Sequence, residues 1–207
     1  MPSKQTLTLT DYDKFHEYNL FIPTRTIYFA GKTGNIIDGE VADEVTSSTT
    51  AELIKNLQIL EHREIAPISI LLNSCGGSWE DGMAVYDFIK ASKSHVTIIG
   101  LGKIYSMGSV IMQAGDDRIL TQNSYMMIHD GSEGYIGTPR SFEAWAKFSE
   151  ATRSTMYKIY YDRMKKKNRR ITLKEIEKIC SHDTIYTAEQ AVQVGLADEI
   201  ITNPIKK

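Results

Sequence analysis

Ser106 and His129 are the residues of this chain whose types and settings could support nucleophilic catalysis. A serine hydroxyl is a weak nucleophile at neutral pH. It needs a histidine to take its proton and, usually, a carboxylate to fix the histidine's tautomer and stabilise its charged form. Ser106 lies in Lys103-Ile104-Tyr105-Ser106-Met107-Gly108-Ser109, after an apolar run and before the apolar Val110-Ile111-Met112. A short helix opening at this serine would aim backbone N–H groups and a positive dipole end at a developing oxyanion. Gly108 would remove bulk where a substrate backbone approaches. The segment is not the G-x-S-x-G elbow, because Ile104 holds the first glycine position. Ser109 is the rival serine, and a plain small-residue turn is the rival explanation.

Five histidines are available. His16 lies in a polar arm, His62 among charged residues and His95 just before a strand, so these three read as surface residues. His182 sits in a polar loop beside Asp183. His129 differs because it ends the apolar strand Tyr125–Ile128, and open parallel sheets gather ligands at the carboxyl ends of their strands. A structural hydrogen bond is the alternative use of His129. A third stretch, Asn73-Ser74-Cys75-Gly76-Gly77-Ser78, directly follows the apolar run Ile68–Leu72. Its paired glycines, Gly76 and Gly77, can turn sharply and present N–H groups to a carbonyl oxygen, or simply join a strand to a helix.

The elements that must position these residues alternate between short apolar runs and amphipathic stretches. Residues 1–24 form a polar arm, and residues 25–207 read as one domain. Strands are expected at Arg25–Phe29, Ile68–Leu72, Val96–Gly100, Arg118–Leu120 and Tyr125–Ile128, with a loop at Gly31–Gly39. Helices are expected at Val41–Leu60, Trp79–Lys90, Ser109–Ala114 and, as one long element, about Ser141–Lys166. Thr172 to Glu175 and Thr187 to Gln190 match the capping-box pattern, so each opens a helix. The alternation argues for an α/β fold with a largely parallel sheet.

The chain has 207 residues, 42% apolar and 24% charged, with a net charge of −2. That is the balance of a water-soluble globular domain and offers no global attraction to nucleic acid or membranes. The two cysteines, Cys75 and Cys180, lack metal-ligand spacing and read as reduced thiols. No metal or cofactor is expected. The polar N-terminus and the lack of an apolar span imply a cytoplasmic protein.

Taken together, the order strand, N-S-x-G-G, helix, strand, S-M-G, short helix, M-I-H resembles the proteolytic-subunit family of the Clp protease, from about Arg25 to Ile201. Ser106-Met107-Gly108 matches the family's nucleophile motif and Met127-Ile128-His129 its histidine motif. Asp183 matches its acid, ahead of Thr187-Ala188-Glu189-Gln190-Ala191 and Gly195-Leu196-Ala197-Asp198. The resemblance implies a crotonase-like α/β core of repeated β-β-α units with a protruding handle at about residues 131–166. It implies a catalytic Ser106, His129 and Asp183, an oxyanion hole from Gly76, Gly77 and Met107, and substrate contacts at Gly108 and Asp130. It further implies a homo-oligomeric heptameric ring or double ring, polypeptide substrates and an AAA+ unfoldase partner. Cys75 stands where the family usually has proline, and Asp130-Gly131 where it commonly has Gln-Pro. Ser181-His182-Asp183 lacks the arginine that often follows the family's acid.

Three other readings each account for part of the sequence. An acyl-CoA enzyme on a crotonase-like core would use backbone amides without needing Ser106, His129 and Asp183 together. A serine peptidase with Lys103 as its base would leave His129 unexplained. A ring-forming or nucleic-acid-binding module would use the basic run Arg163–Arg170, which also suits a helix end through its dipole.

Overall fold

In the computed structural model, which describes residues 9–29 and 44–201, apolar alternation sets the architecture. The helix α1 (Leu9–Tyr18) leads into β1 (Leu20–Phe21), a 3-10 turn at Ile22–Thr24 and β2 (Thr26–Phe29). Next come β3 (Glu44–Val45), α2 (Ser47–Arg63), β4 (Ile68–Ser74), β5 (Gly76–Gly77) and α3 (Trp79–Ala91). The middle of the chain forms β6 (Val96–Tyr105), α4 (Met107–Met112), β7 (Asp117–Thr121), β8 (Tyr125–Ile128) and the long α5 (Pro139–Met164). Last come α6 (Leu173–Cys180), β9 (Thr184–Thr187), α7 (Ala188–Val194) and β10 (Glu199–Ile201).

The main sheet runs β1-β2-β4-β6-β7-β10, antiparallel at its first pair and parallel thereafter, and so confirms the α/β class. On the edge away from β4, β6 has two neighbours. Its first half pairs with β7, from Thr97↔Asp117 to Gly100↔Leu120, and its second half with β8, from Lys103↔Tyr125 to Tyr105↔Met127. β8 then pairs antiparallel with β9. The pairing of β4 with β6 shifts between Leu72 and Ser74, where Asn73 Oδ1 accepts the Lys103 N–H at 3.2 Å.

Packing explains why these runs fold as they do. Along β4, Ile68, Ile70, Leu72 and Ser74 alternate inward with at most 1% exposure. Leu57 and Leu60 of α2, Ile98 and Ile104 of β6, and Ile111 and Met112 of α4 are fully buried. Each such side chain contributes about 2 kcal/mol relative to exposure. Both expected capping boxes form, Thr172 with Glu175 and Thr187 with Gln190.

Some boundaries differ from the sequence reading. The helix expected from Val41 starts at Ser47, because Thr46 and Thr49 exchange side-chain and backbone hydrogen bonds in a third capping box. Val45 fits the helical period but is a buried strand residue, paired with Gly77. Val41 itself and the loop at Gly31–Gly39 lie outside the described residues. β6 continues five residues past Gly100, and α4 begins at Met107 rather than Ser109. The last part of the 1–24 arm adds an edge strand: Leu20 pairs with Ile27 and is 3% exposed.

A polar network is buried beneath α4. Arg118 donates to Asp198 (Nε–Oδ2 3.0 Å, Nη2–Oδ1 2.5 Å), to Gln113 Oε1 at 2.7 Å and to the Gly195 carbonyl at 3.0 Å. Gln113 Nε2 donates to the carbonyls of Ser109 and Leu196. Arg163, first residue of the basic run, turns inward to the carbonyls of Gln113 (Nε, 3.1 Å) and Gly115 (3.0 Å). Lys165 to Arg170 are exposed. Burial works to raise the Asp198 carboxyl, but the Arg118 bonds and charge outweigh it and hold it below the usual carboxylate range.

Asp198→Asn should therefore destabilise the protein, since Arg118 keeps only 4% side-chain exposure while Asp198 keeps 42%. Removing a partner from a fully buried pair costs 3–5 kcal/mol; solvent screening of Asp198 reduces the expected loss to about 2 kcal/mol. The depressed carboxyl stabilises the fold above its unfolded pKa of about 3.9 and ceases to do so as pH falls through the folded value. Urea midpoints at neutral pH should show the full difference from wild type, and those measured toward pH 3 a smaller one.

Candidate active site

The second half of β6, β8 and β9 lie side by side and deliver three residues to one place. The β6–β8 register puts Ser106 one residue beyond β6, where its N–H donates to the Met127 carbonyl at 2.9 Å. The β8–β9 register, Ile128↔Thr184, sets His129 opposite Asp183 at the next step. His129 Nδ1 lies 2.8 Å from Asp183 Oδ1, and His129 Nε2 lies 2.9 Å from Ser106 Oγ. An ionised carboxylate only accepts, so Nδ1 carries the proton and the Nε2 lone pair faces the serine hydroxyl. Asp183 remains 68% exposed, whereas the His129 side chain is 21% exposed.

Ser106 adopts φ +52° and ψ −123°, a conformation disfavoured for any residue with a Cβ. This sharp elbow ends β6 and serves as the N-cap of α4, with no side-chain cap bond. The hydroxyl is thus left for His129. Met107, the first residue of α4, has a backbone N–H at a helix start, where no intrahelical acceptor exists.

Gly76 faces this elbow, and Gly77, the next residue, packs against β3. A Cβ on Gly76 would stand 2.6 Å from Ser106 Cβ, 3.0 Å from its Oγ and 3.2 Å from the Met107 nitrogen. A Cβ on Gly77 would stand 2.4 Å from the Val45 carbonyl oxygen. Both residues have positive φ, +108° and +140°. The Gly76 N–H is already engaged, donating to Ser74 Oγ at 3.1 Å, so the two glycines are not equivalent.

The remaining expected contacts fall as follows. Gly108 is buried in α4 against Ser74, whose Cβ would be 3.1 Å from an added methyl; it borders β4 rather than the cleft. Asp130 lines the cleft, with its carboxylate accepting the Tyr157 hydroxyl at 2.7 Å and its N–H donating to the Cys180 carbonyl at 2.7 Å. His16, His62 and His95 are exposed, and His95 pairs with Asp117. Burial, then the charge of Asp130, pushes the Cys180 thiol up to about 12, leaving it neutral. The cleft measures about 470 Å³. Trp79, Met107, Val110, Phe148 and Met156 supply its apolar walls, and Asp130, Glu80, Glu133 and Arg153 its charges.

Sequence reasoning missed β3, whose pairing with β5 holds the glycine turn beside Ser106. It also missed Ser109 Oγ, which bonds the Ser106 carbonyl at 2.6 Å, and Tyr160, which bonds Ser109 at 2.7 Å. Local pattern could have found the first, an i to i−3 bond common for serine in a helix. It could not have found the second, which spans 51 residues.

Gly76→Ala tests the geometry. The added methyl displaces Ser106 by roughly an ångström, and activity toward a small peptide ester should fall about 10²-fold. Circular dichroism should remain that of the wild type. A fully active alanine variant would show that the elbow tolerates displacement.

The sequence matches the Clp protease family over residues 33–204. It is 31% identical over 164 residues to the ATP-dependent Clp protease proteolytic subunit of Deinococcus radiodurans, covering 78% of each chain. It is 33% identical over 168 residues to ATP-dependent Clp protease proteolytic subunit 1 of Protochlamydia amoebophila, covering 79% of each. A match across most of the chain, joined to a serine, a histidine and an aspartate in hydrogen-bonded order, leads to one assignment: this chain belongs to the Clp protease family and is a serine-type peptidase.

Proposed function

We propose that this protein is an endopeptidase that cleaves unfolded polypeptides by a Ser106-His129-Asp183 mechanism inside a chamber formed by its own copies. The observation that carries the proposal is the continuous row Ser106 Oγ, His129 Nε2 at 2.9 Å, His129 Nδ1 and Asp183 Oδ1 at 2.8 Å. Ser106 Oγ attacks the scissile carbonyl while His129 Nε2 takes its proton. Asp183 holds the imidazole tautomer and stabilises the imidazolium. His129 then returns the proton to the leaving amine, and a water activated by the same nitrogen hydrolyses the acyl-enzyme.

The oxyanion of each tetrahedral intermediate is received by the N–H groups of Met107 and Gly77. Gly76 serves by clearance, since its own N–H is bonded to Ser74. Asp130 borders the path of the substrate. No cofactor or metal enters the reaction.

The relatives are named as proteolytic subunits of an ATP-dependent protease. For this chain we extend that to a homo-oligomeric ring, heptameric or doubled, and to an AAA+ unfoldase that delivers polypeptide. α5, with residues 131–138 before it, is the handle by which rings meet. Its first turns carry a cluster open to such contact: Trp145 stacks on Tyr135 at 5.5 Å between ring centroids, and Phe142 is 51% exposed. No helix among the described residues is long and apolar enough to cross a membrane, and we assign the protein to the cytoplasm.

Ser106→Ala should reduce peptide cleavage by at least about 10⁴-fold, and Asp183→Asn by roughly 10²- to 10⁴-fold. The smaller part of that range suits Asp183 because of its exposure. Cleavage by Ser106→Ala at wild-type rates would refute the nucleophile. Sedimentation of wild type should give a species of at least seven copies; a strict monomer at micromolar concentration would refute the chamber.

A further inference from the structure

Two hydroxyls outside the proposed mechanism stand in line behind the nucleophile. The Ser106 carbonyl accepts the N–H of Ser109 at 2.9 Å, the N–H of Val110 at 3.3 Å and the Ser109 hydroxyl at 2.6 Å. A carbonyl can only accept, so Ser109 spends its one proton there. The 2.7 Å bond between Ser109 Oγ and Tyr160 OH must then be donated by the tyrosine. The direction of the chain is fixed: Tyr160 O–H to Ser109 Oγ–H to the Ser106 carbonyl. Ser109 and Tyr160 are both fully buried, and no water competes for their protons. Burial also pushes the Tyr160 phenol up, which keeps it a donor across the working pH range.

The receiving group is the strained one. Ser106 is held at φ +52°, ψ −123°, and such conformations persist only where the surroundings over-determine them. From the β8 side, its N–H is fixed by the Met127 carbonyl at 2.9 Å. From the α4 side, its carbonyl is fixed by the three donors above, and only the Ser109 hydroxyl ties that group to a distant element. The distant element is α5, where Tyr157, three residues before Tyr160, donates to Asp130 beside His129.

We propose that Tyr160 is a positioning residue of this peptidase, its hydroxyl acting through Ser109 to hold the Ser106 backbone in the turn that aims Oγ at His129 Nε2. The inference rests on Ser106 being the nucleophile. It makes the tyrosine hydroxyl, rather than its ring, matter to the chemical step, and it couples the long helix to the elbow directly.

The test uses the full chain with Tyr160→Phe, Ser109→Ala, the double variant and Ser106→Ala. Steady-state cleavage of a fluorogenic peptide, thermal unfolding and sedimentation are measured for each. Phenylalanine keeps the ring and removes only the hydroxyl, so Tyr160→Phe should lower kcat roughly three- to tenfold, the worth of one such hydrogen bond, with KM unchanged. The double variant should lose no more than Ser109→Ala alone, because both changes cut one chain. Wild-type kcat in Tyr160→Phe overturns the proposal, as does a loss that multiplies with that of Ser109→Ala or that accompanies disassembly. Should Tyr160→Phe not fold, Ser109→Ala is read by the same kcat and KM criterion. Ser106→Ala separates the two levels: if it cleaves normally, the nucleophile reading fails. If it is inactive while Tyr160→Phe is fully active, only the positioning role fails.

Discussion

The chemistry of this molecule depends on the exchange of neighbours along one edge of β6. That strand pairs first with β7 and then with β8, so its second half, still paired with β4, carries β8 and β9 beside the main row of strands. Three strand ends then stand together at positions that register alone determines. A one-residue slip of β8 against β9 would move His129 away from Asp183 and turn every side chain of β8 to its opposite face. The fully buried Met126 and Ile128 resist such a slip by their packing. The same apolar pairs that stabilise the sheet therefore set the distances between hydrogen-bonding groups.

Strain at the elbow is accommodated by the elements around it. Ser106 sits in a conformation that costs on the order of 1–3 kcal/mol, and the glycine turn opposite leaves no room for even a methyl group. Bonds from β8, α4 and, through Ser109, α5 converge on its backbone. Below α4, the Gln113-Arg118-Asp198 network fixes the helix to the C-terminal segment. The site is thus rigid behind the serine and open in front of it, where Asp183 and the Gly131–Gly134 segment meet solvent.

Much of this was legible in the sequence, for identifiable reasons. Buried parallel strands are continuous apolar runs, so Ile68–Leu72, Val96–Gly100 and Tyr125–Ile128 stood out, and the residues directly after them were the ones to inspect. The capping boxes at Thr172 and Thr187 are local signals and were equally clear. The misread places depend on contacts distant in sequence. Val45 has the right period for α2, yet Thr46 caps that helix and Val45 pairs with Gly77. Gly108 reads as clearance for substrate because it follows the serine, and the fold adds a contact the sequence does not show, since a side chain there would meet Ser74 as α4 approaches β4. Ser109 reads as a rival serine, and the bond that shows its actual use goes to Tyr160, on another helix.

The central claim is that Ser106 is a nucleophile only because the folded strand ends bring His129 to it. Peptide mapping by mass spectrometry after treatment with a fluorophosphonate tests this most directly. The account predicts one adduct, on Ser106, that disappears when the protein is unfolded before labelling or when His129 is replaced by alanine. An adduct on Ser109 or another serine, or equal labelling of Ser106 without His129, would contradict it.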